Sequence, residues 1–164
     1  MAQISMQEVQ EEELDSLAHL AAEVWAEHYQ NIITLAQIKY MVKKFQSHAA
    51  IKEQLRNGYQ YFWLCFDGEK AGYLAIEPRD SRLFLSKIYL KKEFRGKKIA
   101  VFAVESLKKL CKEKGYRSIY LTVNKQNAGS IAAYEAMGFE RVDDVVSDIG
   151  NGYVMDDYIY ELFL

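Results

Sequence analysis

A single proline, two cysteines and three histidines in 164 residues remove several readings at once. Cys65 and Cys111 stand far apart in apolar patterns, so they read as buried hydrophobes rather than a disulfide or a ligand pair. No His/Cys spacing suits a metal, and no Ser-His-Asp or Cys-His arrangement is legible, so no metal is expected. No run of about 18 apolar residues and no basic-then-apolar leader occurs; no membrane partner is expected, and the location is expected to be cytoplasmic. A net charge of −2 gives no reason to expect nucleic acid. Neither GxxxxGK[ST] nor GxGxxG is present, which removes the common nucleotide-binding modules. With one proline, no internal repeat and no low-complexity tract, residues 1–164 read as a single domain.

What is present is an ordinary globular composition, 50% hydrophobic and 27% charged, with 12 tyrosines. Gln3 to Val9 alternates weakly, as an edge strand does. Glu11-Glu12-Glu13 opens a helix whose apolar stripe runs Leu14, Leu17, Ala18, Ala21, Val24, Trp25 and His28. Thr34 and Ser47 cap two further helices, the second ended by Asn57-Gly58. The period then changes. Tyr59 to Phe66 and Lys70 to Glu77 read as strands joined at Asp67-Gly68, and Pro78 to Ser81 reads as the next turn. Tyr116 to Val123 is another strand, Asn127 to Met137 a short helix, and Val142 to Val146 pairs with Tyr153 to Phe163 around a loop at 147–152. The fold class is therefore mixed α/β: a mostly antiparallel twisted sheet, one parallel strand–helix–strand crossover, and flanking helices.

The chain is organised around Leu83 to Ala103. An apolar strand to Leu90 crosses a short charged turn into Arg95-Gly96-Lys97-Lys98-Ile99-Ala100, and a helix runs from Ile99 to Gly115. A strand feeding a helix through a basic, glycine-containing turn aims free N–H groups and the positive helix end at one point, an anion site suited to phosphate.

Three pieces at their spacing resemble the GNAT superfamily of acyl-CoA-dependent N-acetyltransferases. They are the strand ending Ile88-Tyr89-Leu90 with its basic turn, then Leu121-Thr122-Val123-Asn124 running to Asn127, and last Ser130 to Phe139 with Tyr134 and a closing Gly138-Phe139. The resemblance implies acetyl-CoA as cofactor, with Ile88, Tyr89 and Leu90 along the pantetheine arm and Arg95, Gly96, Lys97, Lys98, Ile99 and Ala100 around the pyrophosphate. It further implies that Asn127 and Ser130 lie beside the cofactor and that Tyr134 points at the thioester sulfur. Lys98 stands where most members carry a second glycine; its β-carbon is compatible with the turn at a negative φ.

Acetyl transfer to an amine needs a neutral nucleophile, a stabilised oxyanion and a protonated leaving sulfur. An alkylamine with pKa near 10.4 is only about 0.04% neutral at pH 7, a deficit of roughly 4–5 kcal/mol. Tyr134 is the candidate acid. For the base, Thr122 stands where some members carry glutamate; Glu77 is the best remaining side chain, beside a water wire ending at solvent or His28. The fold implied by the resemblance frames the acceptor with the first helices and the last loop, which carry Trp25, Glu27, His28, Tyr29, Asp143, Asp144, Asp148, Asp156 and Asp157, against Arg141 as the nearby positive charge. Trp25, His28, Tyr29 and Asp156 are the acceptor-site candidates. The expected partner is a small cationic or peptidic amine, such as a polyamine. A silent acyl-CoA-binding module is the alternative, and the aromatic last strand (Tyr153, Tyr158, Tyr160) leaves two readings open, a homodimer contact or core filling.

Overall fold

The computed structural model describes residues 2–164, with Lys87 described by its backbone alone. One seven-stranded sheet runs in the order β1-β2-β3-β4-β5-β7-β6. Its strands are β1 (Ile4–Glu8), β2 (Gln60–Phe66), β3 (Glu69–Arg79), β4 (Arg82–Leu90), β5 (Ser118–Asn124), β6 (Glu140–Gly150) and β7 (Tyr153–Phe163). The helices are α1 (Leu14–Tyr29), α2 (Leu35–Gln46), α3 (His48–Arg56), α4 (Ile99–Lys114) and α5 (Ala128–Ala136). Every strand pair is antiparallel except β4 with β5, the pair that α4 crosses over, as the sequence predicts.

Alternation along the strands divides the apolar residues between two cores. On one face α1, α2 and α3 pack on Tyr61, Trp63, Tyr73 and Tyr89; on the other, α4 and α5 pack on Leu74, Leu83, Leu85, Ile119 and Leu121. Cys65 and Cys111 are buried and free, and burial pushes the Cys111 thiol up to about 11. Among the last-strand aromatics, Tyr160 fills the second core and Tyr153 packs on Tyr40 with ring centroids 5.2 Å apart. Among the described residues, no helix is long and apolar enough to cross a membrane.

Two boundaries differ from the sequence reading. Pro78 does not end β3; it lies within the strand opposite Leu83, and the chain turns at Asp80. The last β2 rung, Gln60 to Ile76, lies before it, so a missing N–H on that side breaks no ladder. Likewise β6 continues through Ser147 to Gly150. The turn is only Asn151-Gly152, both at positive φ (55° and 80°), which is the two-residue hairpin geometry that Asn-Gly favours.

Two irregularities of β4 shape the site. Leu74 pairs with Ile88 but Ile76 with Leu85, so β4 carries one extra residue between Leu85 and Ile88. The bulge exchanges the faces: Leu83 and Leu85 point to the α4 side before it, whereas beyond it Tyr89 points to the α1 side. The parallel ladder to β5 is also short, from Arg82–Ser118 to Phe84–Tyr120, after which the two strands diverge.

Candidate active site

The divergence leaves a cleft of about 410 Å³ between the end of β4, the start of α4 and α5. Ile88 and Leu90 line it, with Arg95, Gly96 and Ala100 from the basic turn and Asn127, Ser130 and Tyr134 from α5. Ile88 N–H donates to the Tyr134 hydroxyl at 3.3 Å, so this edge of β4 faces the cleft, and strand period turns Leu90 the same way. The cleft brings together residues that the resemblance implies for the cofactor. Of the remainder, Ile99 is fully buried core, Lys97 Nζ lies 5.3 Å from the Phe66 ring centre, and Tyr89 turns its ring to the opposite face of the sheet.

The expectation for Lys98 is overturned. It caps α4 in the left-handed region, φ 63° and ψ 21°, next to Gly96 at φ 78°. A side chain costs about 1–2 kcal/mol there. Lys98→Gly is therefore expected to raise the cofactor-free melting temperature by about 2–4 °C, read by thermal denaturation; an unchanged or lower value would contradict the strain.

Asn127 caps α5 by accepting from Ser130 N–H at 3.2 Å, and its amide nitrogen lies 2.8 Å from His28 Nε2. His28 thus lines this first cleft, apart from Trp25 and Tyr29 with which it was expected, and it ties α1 to α5. Tyr134 is buried. Loss of solvation lifts its hydroxyl, the Ile88 N–H offsets part of this, and the result is a phenol pushed up to about 12.

A second cavity of about 420 Å³ opens on the α1 side of the bulge. Trp25 and Tyr29 line it as expected, with Tyr59, Phe84 and Tyr89 completing an aromatic enclosure. Its floor is a buried chain: Trp25 Nε1 donates to Tyr73, Tyr73 to Gln46, Gln46 to Tyr61, and Tyr61 to Gln54. The carboxylate that lines it is Asp157, which is buried; Asp156 points outward and pairs with Lys125 at 2.9 Å. Lys125 also pairs with Asp144 at 2.8 Å and holds that carboxyl low. Glu77 lines neither cavity and binds Arg79 Nε at 2.5 Å. Thr122 does line the acceptor cavity.

Sequence reasoning missed Arg79, Phe84 and Ser86 as lining residues, and it named Asp157 in the acceptor frame but took Asp156 as the candidate. Phe84 and Ser86 alternate with Leu83 and Leu85, a readable signal, but Arg79 followed a proline read as a turn. Asp156 and Asp157 are adjacent, and only strand register separates their faces. Among the described residues no His/Cys/Asp/Glu group is arranged to hold a metal.

Comparison with known proteins agrees with this geometry. The model of the acetyltransferase (GNAT) family matches residues 16–139. A spermidine N(1)-acetyltransferase of Thermoplasma acidophilum is 25% identical over 150 residues, 88% of this chain and 93% of that one. In structure, the chain is similar to the PaiA N-acetyltransferase of Thermoplasma acidophilum in complex with coenzyme A (TM-score 0.82, 23% identity, 99% of each chain). It is also similar to the ribosomal-protein-S18-alanine N-acetyltransferase of Escherichia coli (TM-score 0.71, 18% identity, 99% of this chain and 94% of that one).

Proposed function

The chain belongs to the GNAT family of acetyltransferases, and from that membership we propose that it transfers an acetyl group from acetyl-CoA to a primary amine of a small cationic molecule or peptide, by direct attack with both substrates bound. The observation that carries the reading is the pair of cavities flanking the β4 bulge, with Ile88, Leu90 and Tyr134 lining one and Ser86 and Tyr89 lining the other.

The residues fit the donor. Its pantetheine arm would lie along the β4 edge as an added strand, held by Ile88 and Leu90 backbone groups and by Asn127. Its pyrophosphate would meet Arg95, Gly96 and the first turn of α4, with Ser130 beside it. Acetyl-CoA supplies the activated acyl group. Backbone N–H groups at the bulge are suited to polarise an acyl oxygen. Tyr134 keeps its proton through the neutral range and hands it to the departing sulfur. On the acceptor side, the rings of Trp25, Tyr29 and Tyr89 favour an ammonium, and Asp157 supplies the carboxylate first read onto Asp156. Glu77 lines neither cavity, which favours proton loss to solvent through the cavity mouth over loss to Glu77. The likeness to a spermidine acetyltransferase supports an amine acceptor.

The test is thiol release from acetyl-CoA against polyamines, amino acids and short peptides. Release with one class supports the reading. Silence across the panel, with coenzyme A still raising the melting temperature, would replace it by acyl-CoA binding without turnover.

A further inference from the structure

We infer that the acceptor carries a carboxylate at the end remote from its reacting amine, a short peptide acid rather than a simple polyamine, and that Arg79 reads it. The inference rests on the acceptor assignment above and names its chemistry.

Among the described residues, Arg79 and Asp157 are the charged ones that line the acceptor cavity, and the sheet register separates them. The guanidinium carbon of Arg79 lies 3.9 Å from the centre of the Phe84 ring, and Arg79 Nη1 donates to the Tyr120 hydroxyl at 3.1 Å. Phe84 and Tyr120 are partners across β4 and β5. Asp157 instead pairs with Asn124, four residues further along β5. At a strand rise of about 3.3 Å per residue, the two charged ends are separated by about 13 Å along the sheet.

The amine belongs at the Asp157 end. Tyr134 meets β4 at Ile88, four residues beyond Phe84 in the same direction. The transferred group must lie there, and so must the nitrogen that receives it. Arg79 therefore faces the far end of the acceptor.

Arg79 is also held as an anion-binding group needs to be held. Glu77 takes its Nε edge at 2.5 Å, and Nη2 donates to the Tyr59 hydroxyl at 3.1 Å. Of five guanidinium N–H groups, these bonds and that to Tyr120 use three, leaving one on each terminal nitrogen. Tyr59 accepts from Arg79 and keeps its own O–H to donate; burial raises its pKa, so the hydroxyl stays protonated. A carboxylate would meet N–H and O–H donors together, the arrangement that makes charge-assisted bonds strong. A second ammonium, as in a polyamine, would face hydrogen-bond donors there, with Glu77 already bonded to Arg79. The span suits a peptide of about three or four residues, at about 3.3–3.6 Å each when extended.

The experiment is calorimetric binding of an N-acetylated tripeptide acid and of its C-terminal amide to the protein loaded with coenzyme A, with spermidine as a third ligand. The acid should bind about 10- to 100-fold more tightly than the amide. Arg79→Gln should reduce that preference to within about threefold, and Arg79→Lys should restore only part of it. The comparison of acid with amide in the parent protein needs no substitution, so a variant that fails to fold does not remove the test. Equal binding of acid and amide, or tighter binding of spermidine than of either, overturns the inference. Binding is read without turnover, so an acid preference with no acetylation of any amine would condemn the transferase reading and leave the Arg79 subsite standing.

Discussion

Tyr134→Phe is expected to lower kcat by about 10²–10³ while changing the affinity for coenzyme A by less than about threefold. The loss corresponds to roughly 3–4 kcal/mol of transition-state stabilisation. The ring is buried and packs edge-on to Phe139 at 5.5 Å, so removing one oxygen leaves the packing in place. What goes is the proton held at the hydroxyl and the acceptor for Ile88 N–H. The pH dependence follows from the sign of the shift. Burial raises the phenol to about 12, so it remains protonated below that value, and a fall in kcat between pH 8 and 10 is not expected from Tyr134. Steady-state kinetics with a cofactor-binding isotherm would decide the matter. A variant with the parent's kcat would end the acid assignment.

The largest expected effect on stability comes from Gly72→Ala. Gly72 lies opposite Leu90 in the β3–β4 ladder. A β-carbon there would overlap the Tyr89 carbonyl oxygen and come within 2.9 Å of the Leu90 Cα. Both are backbone atoms of the strand that borders the cofactor cleft, and neither can swing aside as a side-chain tip can. The cost should reach at least about 3 kcal/mol, a fall in melting temperature of about 6–12 °C. The displacement falls on Tyr89 and Leu90, so affinity for coenzyme A should weaken in the same variant. A melting temperature within 2 °C of the parent's, with unchanged affinity, would show that the strands part more easily than their register implies.

The crossover from β4 through the basic turn to α4 was legible because three local signals agree there: a period-two strand, a glycine in a charged turn, and a period-3.6 helix. The cofactor side was legible for the same reason, being built from that turn and from the capped helix α5. The acceptor side was not, because its residues come from eight separate elements and converge only after folding. The β4 bulge is the clearest case. One extra residue turns Tyr89 to one face and Ile88 to the other, and nothing in Leu85 to Leu90 announces it. The neighbouring aspartates on β7 illustrate the same limit. Composition gives both an equal claim, and only the pairing of Asp157 with Asn124 assigns one to the interior.

The short ladder between β4 and β5 has a consequence for how the molecule comes apart. Three rungs at Arg82, Leu83 and Phe84 are the sheet's seam between an N-terminal block of four strands and a C-terminal block of three. Each block is closed by its own antiparallel hydrogen bonds, so each is expected to open as a unit of its own, with the core under α4 joining the two. A ligand laid along β4 beyond Phe84 bridges the units and makes them open together. Slow amide exchange should then spread from the centre of each block across the seam, and the protein's resistance to local opening becomes a property of the bound complex rather than of the chain alone.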